Sequence, residues 1–590
     1  MPASPLVVIG WDGATWDLLE TWVRQGSLPN LARLMAAGVH GRLHSTALPL
    51  SPAAWSTIIT GQNPGKHGVF DWFERRPESY AVDYVHTGRI GATPLWHYFN
   101  QGGRRIGVFC PPMIYPAVQL DGFMVSGMAA PNPQSPGFAY PPELLAELQA
   151  AVGPFQAAEA GFFKYGREAE YLLTILDWLD YQRQAIRFLV EHYPCDTYLL
   201  VFMQSDHVQH KFWRYQDPSF PGYELQQDAR HQDAILQIYQ ALDQVLGELM
   251  GVFGEQANYL VLSDHGAGPT HGIMFINRWL QQQGWLRLKR KPTTWLKLGL
   301  ARSNLLLRAY RLAARLGLGG LANLVSKPAR DRAVRAFLSF DDIDWTHTQA
   351  YARGAFGQIY INLVGREPQG IVPPGEPYKQ LVAQIMSGLR SLRHPETSAP
   401  LITGLRRRDE VLHGPYLERA ADILFHIQDY LYQSSVRLGL ESPGLLGASE
   451  YEDSGSHRPE GILVMAGPGI QPGAGLADAT VTDILPTLLA LAGLPLPAGL
   501  DGRPLVEALA PDIKDQLRAR AADDPVLEAA AQFSETGTKA ARLAGEQVVE
   551  RPVSEQAAGN SGAASPAEPE LTAEELAQLE ERLRNLGYLG

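Results

Sequence analysis

Carboxylate and imidazole side chains recur in four widely separated segments, each beside a short apolar run. Asp12 follows LVVIGW. Asp206 and His210 stand four residues apart in FMQSDHVQH, after TYLLVF. Asp264 and His265 are neighbours in LVLSDHG, and His457 lies in GSHRPEG, just ahead of GILVMA. Carboxylate and imidazole donors suit Zn²⁺ or Mn²⁺, and the hard carboxylates also accept Mg²⁺. Singly, each segment says little. An Asp at a strand end is usually a turn or cap residue, and an Asp-His pair is usually a surface hydrogen bond. His207 and His271 sit beside the candidates and read as supporting or solvated groups. Four such segments in this order are a different matter, because their donors can converge on one rim of a sheet.

A fifth segment, LPLSPAAWSTIITGQNPGKHG, supplies a hydroxyl. Ser51 heads a helical stretch that runs to Thr60 and Gly61. The N-terminus of a helix favours an anion through its free N–H groups and its dipole. The plainer reading makes Ser51 a helix cap with Pro52 in the first helical position. One geometry can serve both.

The elements that must position these residues are short apolar strands alternating with helices. Leu6–Gly10, Arg105–Phe109, Thr197–Phe202 and Tyr259–Leu262 read as buried strands. Leu28–Ala37, Ala169–His192 and Gln232–Phe253 read as helices between them. This alternation predicts an α/β fold around a mainly parallel sheet, with its site at the carboxyl ends of the strands. Later, Gly357–Leu363 alternates like a strand and Glu376–Leu392 like a helix. Further strands are expected near Pro400–Leu405 and Ala421–Ile427, as a small α+β insertion. The core then resumes with Gly461–Ala466 and a helix over Ala479–Gly493. The implied organisation is a first core part over 1–284, a basic helical cap over 285–345, the α+β insertion over 346–450, a last core part over 451–510 and a helical, partly disordered tail over 511–590.

The chain has 590 residues, ample for a large core with insertions, and a net charge of −12. An acidic surface argues against a specific nucleic-acid partner. It leaves room for an anionic substrate, since a bound metal reverses the local field. Two cysteines, Cys110 and Cys195, support neither a disulfide framework nor a Cys-based zinc site. The start, MPASPLVVIGWDG, lacks the basic and apolar regions of a signal peptide, and no apolar stretch is long enough to span a membrane. Together these predict a cytoplasmic protein. One segment breaks the acidic balance: Arg287 to Arg335 holds thirteen Lys or Arg against one acid, Asp331, with leucines at helical spacing. The favoured reading is a cap whose apolar face packs on the body while its basic face is solvated. The other is a surface for peripheral contact with anionic lipid. In the tail, Asn560–Glu570 reads as a disordered linker. A final helix is expected from Thr572, with Glu575 completing a capping box and Leu576, Leu579, Leu583 and Leu586 forming one stripe.

Asp, then Ser heading a helix that ends in Thr-Gly, then Asp-x-x-x-His, then Ser-Asp-His-Gly, then a late Gly-x-His: this order resembles the alkaline phosphatase superfamily over roughly residues 5–510, the basic cap aside. The branch it resembles most is the type I phosphodiesterase and nucleotide pyrophosphatase group. The resemblance implies an alkaline phosphatase-like three-layer α/β sandwich with a central, mostly parallel sheet and an inserted helical or α+β cap. It implies two divalent metal ions, zinc in the first instance and manganese in the second. One would be held by Asp206, His210 and His457. The other would be held by Asp12, Asp264 and His265, with Ser51 bound to it as nucleophile. The implied course is attack by Ser51, a phosphoserine intermediate, and hydrolysis by water. Two positions depart from relatives: Ala54 replaces the Asn common among phosphodiesterases, and Trp55 stands where sulfatases have Arg. Trp55, Lys66 and His67 are the candidates for substrate contact. The implied substrate is a small phosphoric ester, diester before monoester. A phosphomonoesterase, phosphonate hydrolase or phosphotransferase on the same scaffold is the alternative, and a non-catalytic metal-binding regulator the rival from another class.

Overall fold

In the computed structural model, Leu6–Trp11 is buried at all six positions and forms the middle of a nine-stranded sheet. The structure describes residues 4–156, 163–221, 223, 231–302, 338–435, 438–440, 442, 444–449, 453–476, 478–521 and 575–580. Across the sheet the strands run Ala479–Thr480, Val39–His44, Glu460–Ala466, Asn258–Leu262, Leu6–Trp11, Thr197–Phe202, Ile106–Phe109, Gly122–Val125 and Ala139–Tyr140. An apolar run buried on both faces is what a central parallel strand needs. Val7, Ile9 and Trp11 enter the core on one face, and Leu6 and Val8 enter the core on the other. Helices Glu168–His192 and Ala234–Phe253 cover the first face. Helices Ser51–Thr60 and Ile484–Leu491 cover the second. The result is the three-layer α/β sandwich with a mostly parallel sheet.

Strand direction decides where the candidate donors emerge. Leu6–Trp11 pairs in parallel with Thr197–Phe202 on one side and with Asn258–Leu262 on the other, Leu6 opposing both Thr197 and Asn258. Asp12, Asp206 and Asp264 therefore leave the carboxyl ends of three adjacent strands. Glu460–Ala466 runs antiparallel to Asn258–Leu262, so its amino end, preceded by His457, lies at the same rim. Val39–His44 is antiparallel to Glu460–Ala466 in turn, and its carboxyl end delivers the chain to Ser51 there as well. Val39–His44 escapes a hydrophobicity reading because its sequence, VHGRLH, is polar at every other position or more.

A second sheet contains Ala350–Ala352, Gly357–Ile361, Ile423–Ile427, Tyr432–Ser434, Gly272–Met274 and Leu446–Gly447 in that order, with Ile402–Arg407 beside Ile423–Ile427. It draws one strand, Gly272–Met274, from before the basic segment, and has its own core around Ile359, Ile361 and Phe425. A two-stranded ladder, Gly266–Pro269 with Gly455–Arg458, carries His457 between the two sheets.

The expected helix over Ala479–Gly493 is shorter, Ile484–Leu491. Ala479–Thr480 instead pairs with Leu43 and His44, and Thr480 and Asp483 form a capping box that starts the helical path later. Pro511–Ala521 is helical and packs Ile513 and Leu517 on the body. Within 575–580, Leu579 is buried, and Glu575 and Gln578 accept hydrogen bonds from Ser135 and Asn132. The expected linker over Asn560–Glu570, the capping Thr572, and Leu583 and Leu586 lie outside the described residues. So does the basic segment over 303–337. No helix among the described residues is long and apolar enough to cross a membrane.

Candidate metal and nucleophile site

Asp12, Ser51, Asp206, His210, Asp264, His265 and His457 come together at the rim, none more than 6% exposed. Ser51 lies in the first turn of Ser51–Thr60, whose cap residue is Leu50, one position earlier than a serine cap requires. Its hydroxyl is 3.2 Å from His265 Nε2. His265 Nε2 is also 3.6 Å from Asp12 Oδ1 and 3.4 Å from Asp264 Oδ2. Asp206 lies in the first turn of helix Gln204–Gln216, and His210, one turn on, shares its face. Asp206 Oδ1 is 3.3 Å from His210 Nε2 and 3.5 Å from His457 Nε2, and these two nitrogens are 3.1 Å apart. The His265 and His457 rings stack at 3.7 Å, which joins the two groups into one site. Asp206, His265 and His457, and likewise Asp12, Asp264 and His265, each offer ligand atoms within 4.8 Å of one another.

Hydrogen bonds at the back of each group leave one atom aimed inward. Trp55 Nε1 donates to Asp12 Oδ2 at 2.7 Å, and the Gly13 amide donates to Asp264 Oδ1 at 3.3 Å. The other oxygens, Asp12 Oδ1 and Asp264 Oδ2, are buried without a hydrogen-bond partner. Two of the three imidazoles follow the same rule. His265 Nδ1 is 2.9 Å from the Gly266 carbonyl and His457 Nδ1 is 2.7 Å from the Pro49 carbonyl. A carbonyl only accepts, so each Nδ1 carries the proton and each Nε2 presents a lone pair. Buried orphan carboxylate oxygens beside imidazole lone pairs are the donor set a divalent cation satisfies.

The electrostatics agree. Burial pushes Asp12 well up, helped by Asp264 and Asp206 nearby. Burial pushes Asp264 up to about 6, against the pull of His265. Burial would raise Asp206 too, but His210, with His457 and His265, holds it well below the usual carboxylate range. Burial, then the neighbouring His265, keeps His457 neutral. Three carboxyls in so dry a place need positive charge, and protons are a poor substitute for cations there.

Trp55, Lys66 and His67 each have partners within the protein. Trp55 is fully buried beneath Asp12, and only a glycine at position 10 makes room: a Cβ there would lie 2.2 Å from its ring. Lys66 pairs with Asp501 and bonds the Gly499 carbonyl. His67 is fully buried. Its Nδ1 accepts from the Val69 amide, so the Nε2–H donates to Thr57 Oγ1, 3.0 Å away. His207 is buried against the Trp178 ring.

Burial lowers His67 to about 3. A histidine depressed in the fold stabilises fully above its unfolded value, near 6.5, and that stability is lost as pH falls, by roughly 1.4 kcal/mol per unit. The stability gap between the wild type and His67→Gln is therefore expected to narrow by about 2 kcal/mol between pH 6.5 and 5. Denaturant melts at the two pH values read it directly. An unchanged gap would mean that His67 is not held neutral.

Sequence reading passes over the parts that lock the site. Lys211 forms a buried ion pair with Asp453, whose other oxygen is 3.8 Å from His210 Nδ1. Ser454 bonds the carbonyls of His210 and Lys211. At Gly455 a Cβ would sit 2.2 Å from the Gln209 carbonyl, so glycine lets the strand that carries His457 lie against the helix that carries His210. Phe356, in the turn between strands Ala350–Ala352 and Gly357–Ile361, tilts its ring over His457 at 5.6 Å. Only the run ahead of GSH, with its Asp and Ser, hints at this in the sequence.

No curated protein sequence matches the chain. Among solved structures it is similar to phosphonoacetate hydrolase from Sinorhizobium meliloti 1021, solved in complex with phosphonoacetate. The identity is 16%, over 82% of this chain and 94% of that one, with a TM-score of 0.45. It is also similar to human ectonucleotide pyrophosphatase / phosphodiesterase 5, at 13% identity over 84% of this chain and 96% of that one, with a TM-score of 0.44. The type I phosphodiesterase / nucleotide pyrophosphatase family model matches residues 6–316, just over half of the chain, a span that contains every one of the seven site residues except His457. The chain belongs to the type I phosphodiesterase / nucleotide pyrophosphatase family.

Proposed function

We propose that the protein hydrolyses phosphoric esters, diesters before monoesters, with Ser51 as nucleophile and two divalent cations, zinc first, in the paired Asp/His groups. The observation that carries this reading is the Ser51 hydroxyl, wholly buried at a helix N-terminus and 3.2 Å from His265 Nε2, within the cluster of inward-facing donors. Asp206, His210 and His457 would hold one cation, and Asp12, Asp264 and His265 the other. When bound, such cations lower the pKa of a coordinated hydroxyl and neutralise charge on the phosphoryl oxygens.

The protein's own part is orientation and exclusion of water. Trp55 and Gly13 fix the Asp12 and Asp264 carboxylates from behind, so that neither rotates when the inner oxygens are engaged. The Gly266 and Pro49 carbonyls hold the protons of His265 and His457 on Nδ1. The dipole of helix Ser51–Thr60 favours negative charge where Ser51 would meet phosphorus. Attack by Ser51 Oγ on a diester would break one phosphorus–oxygen ester bond. The departing alcohol takes up the serine proton, and the phosphoryl group stays on Ser51, still carrying the second ester. Water then cleaves the Oγ–phosphorus bond, returns a proton to Ser51 Oγ and releases a phosphomonoester.

A panel of chromogenic esters tests this: a phosphodiester, a phosphomonoester, a phosphonate monoester and a sulfate ester, each with added zinc, manganese or chelator. The diester is expected to turn over fastest, and only with metal. Preference for the sulfate ester, or turnover indifferent to chelator, would overturn the proposal.

A further inference from the structure

The first part of the basic segment is described, and its orientation differs from a cap with its apolar face turned in. Helix Pro292–Arg302 buries Thr294 and Leu298. Thr294 Oγ1 and Lys297 Nζ both donate to Asp342, at 3.0 and 2.9 Å. Residues 292, 295, 296 and 299 form the opposite face, by the i, i+3, i+4 rule. All four are exposed: Pro292, Trp295, Leu296 and Gly299. The outward face of this helix is therefore uncharged and apolar. Trp295 is 56% exposed and Leu296 64%, and only four other large hydrophobic side chains among the described residues are exposed to a comparable degree.

Along the chain that makes this face the charges are of one sign; acids come from the segment packed against it, Asp342 pairing with Lys297 and the exposed Asp341 lying beside Lys289. Arg287, Arg290 and Lys291, just before the helix, are exposed, and from Arg287 to Arg302 there are six Lys or Arg and no acid. The rest of the chain is acidic enough to bring the whole to −12. A solvated cap helix would turn its lysines and arginines outward and its Trp and Leu inward. A helix that lies in a lipid interface does the reverse on its docking face: Trp and Leu enter the acyl boundary, and flanking Lys and Arg meet anionic headgroups. A nucleic acid would use the basic groups but gains nothing from a two-residue aliphatic and indole ridge without bases stacked on it.

We infer that the face made by Trp295, Leu296 and Gly299, with Arg287, Arg290 and Lys291 beside it, docks this protein peripherally on a membrane surface rich in anionic phospholipid. Trp295 and Leu296 insert, and the cations confer preference for negative headgroups. Gly299 leaves the surface flat, since no atom lies within 4 Å of a Cβ built there. None of the seven site residues belongs to this face, so docking adds affinity for a surface without changing the chemistry at Ser51.

Full-length protein is sedimented with vesicles of phosphatidylcholine alone and of phosphatidylcholine mixed with phosphatidylglycerol. Binding is expected only to the mixed vesicles and is expected to weaken as salt is raised. Trp295→Ala with Leu296→Ser should lower the partition coefficient by about tenfold or more. Arg290→Glu with Lys291→Glu should do the same. All four side chains are exposed, so both variants should melt at the wild-type temperature and turn over a water-soluble chromogenic ester at the wild-type rate. Failure of the wild type to bind mixed vesicles would overturn the inference, as would unaltered binding by either double variant. Tighter binding to single-stranded RNA than to the vesicles, lost in the same variants, would replace lipid by nucleic acid. None of these results bears on the ester panel, so the membrane inference and the proposed chemistry fail separately.

Discussion

Ser51→Ala is expected to lower turnover of a phosphoric ester by several orders of magnitude, on the order of the 10⁶ seen when a hydrolase loses its nucleophile. The expectation comes from the geometry. Ser51 supplies a buried hydroxyl next to His265 Nε2. Thr46, the nearest preceding alternative, instead bonds the Leu48 carbonyl, while Thr57 and Thr60 bond carbonyls of their own helix. The substitution removes none of the six Asp and His donors, so elemental analysis should still find the wild-type metal content. If Ser51 served only the helix start, its loss would cost about 1 kcal/mol of stability and little rate. Those outcomes differ by orders of magnitude in turnover. A variant rate within a few-fold of wild type would remove Ser51 from the mechanism.

The second large effect is expected on stripping metal. Chelation should abolish turnover and lower the melting temperature, and zinc or manganese should restore both. Asp12, Asp206 and Asp264 are buried within one site, and the inner oxygens of Asp12 and Asp264 have no hydrogen-bond partner. A ligand bound only by the folded state stabilises it by about 4 kcal/mol at a thousand times its dissociation constant. Calorimetry with and without chelator measures this. A melting temperature that does not respond to chelator, in protein shown to be metal-free, would mean that the six donors do not form cation sites. The response should also weaken in Asp453→Asn, because the Asp453 carboxylate ties Lys211 and stands behind His210.

The donors were legible in the sequence because each sits beside a strand whose apolar run is hard to mistake. LVVIGW, TYLLVF and YLVL are buried on both faces, and central parallel strands leave no other composition open to them. A carboxylate placed just past such a run must emerge at the sheet rim. Helix spacing placed Asp206 and His210 on one face for the same local reason. The surroundings of the candidate substrate contacts were not legible. Trp55 lies one helical turn after Ser51, which suggests the same site, yet the helix is covered on every side, and Trp55 faces the sheet and Asp12. Lys66 and His67 follow a glycine, Gly61, in the left-handed conformation, so no periodicity carries from the helix to them.

The strand–helix alternation, the order of the candidate donors and the family of the chain could be read from residue type and local spacing. Which candidate donors share a point is a matter of how the strands are arranged. That depends on strand order and direction, on the antiparallel Glu460–Ala466 that returns His457 to the rim, and on the unremarkable Val39–His44 that brings Ser51 there. The tertiary structure also decided the tautomers of His265 and His457, which rest on carbonyls of Gly266 and Pro49 positioned by the fold, Pro49 lying 408 residues away from its histidine. And it decided which way helix Pro292–Arg302 faces. Hydrophobicity alone assigns Trp295 and Leu296 to the interior, but the pairing of Thr294 and Lys297 with Asp342 turns them outward.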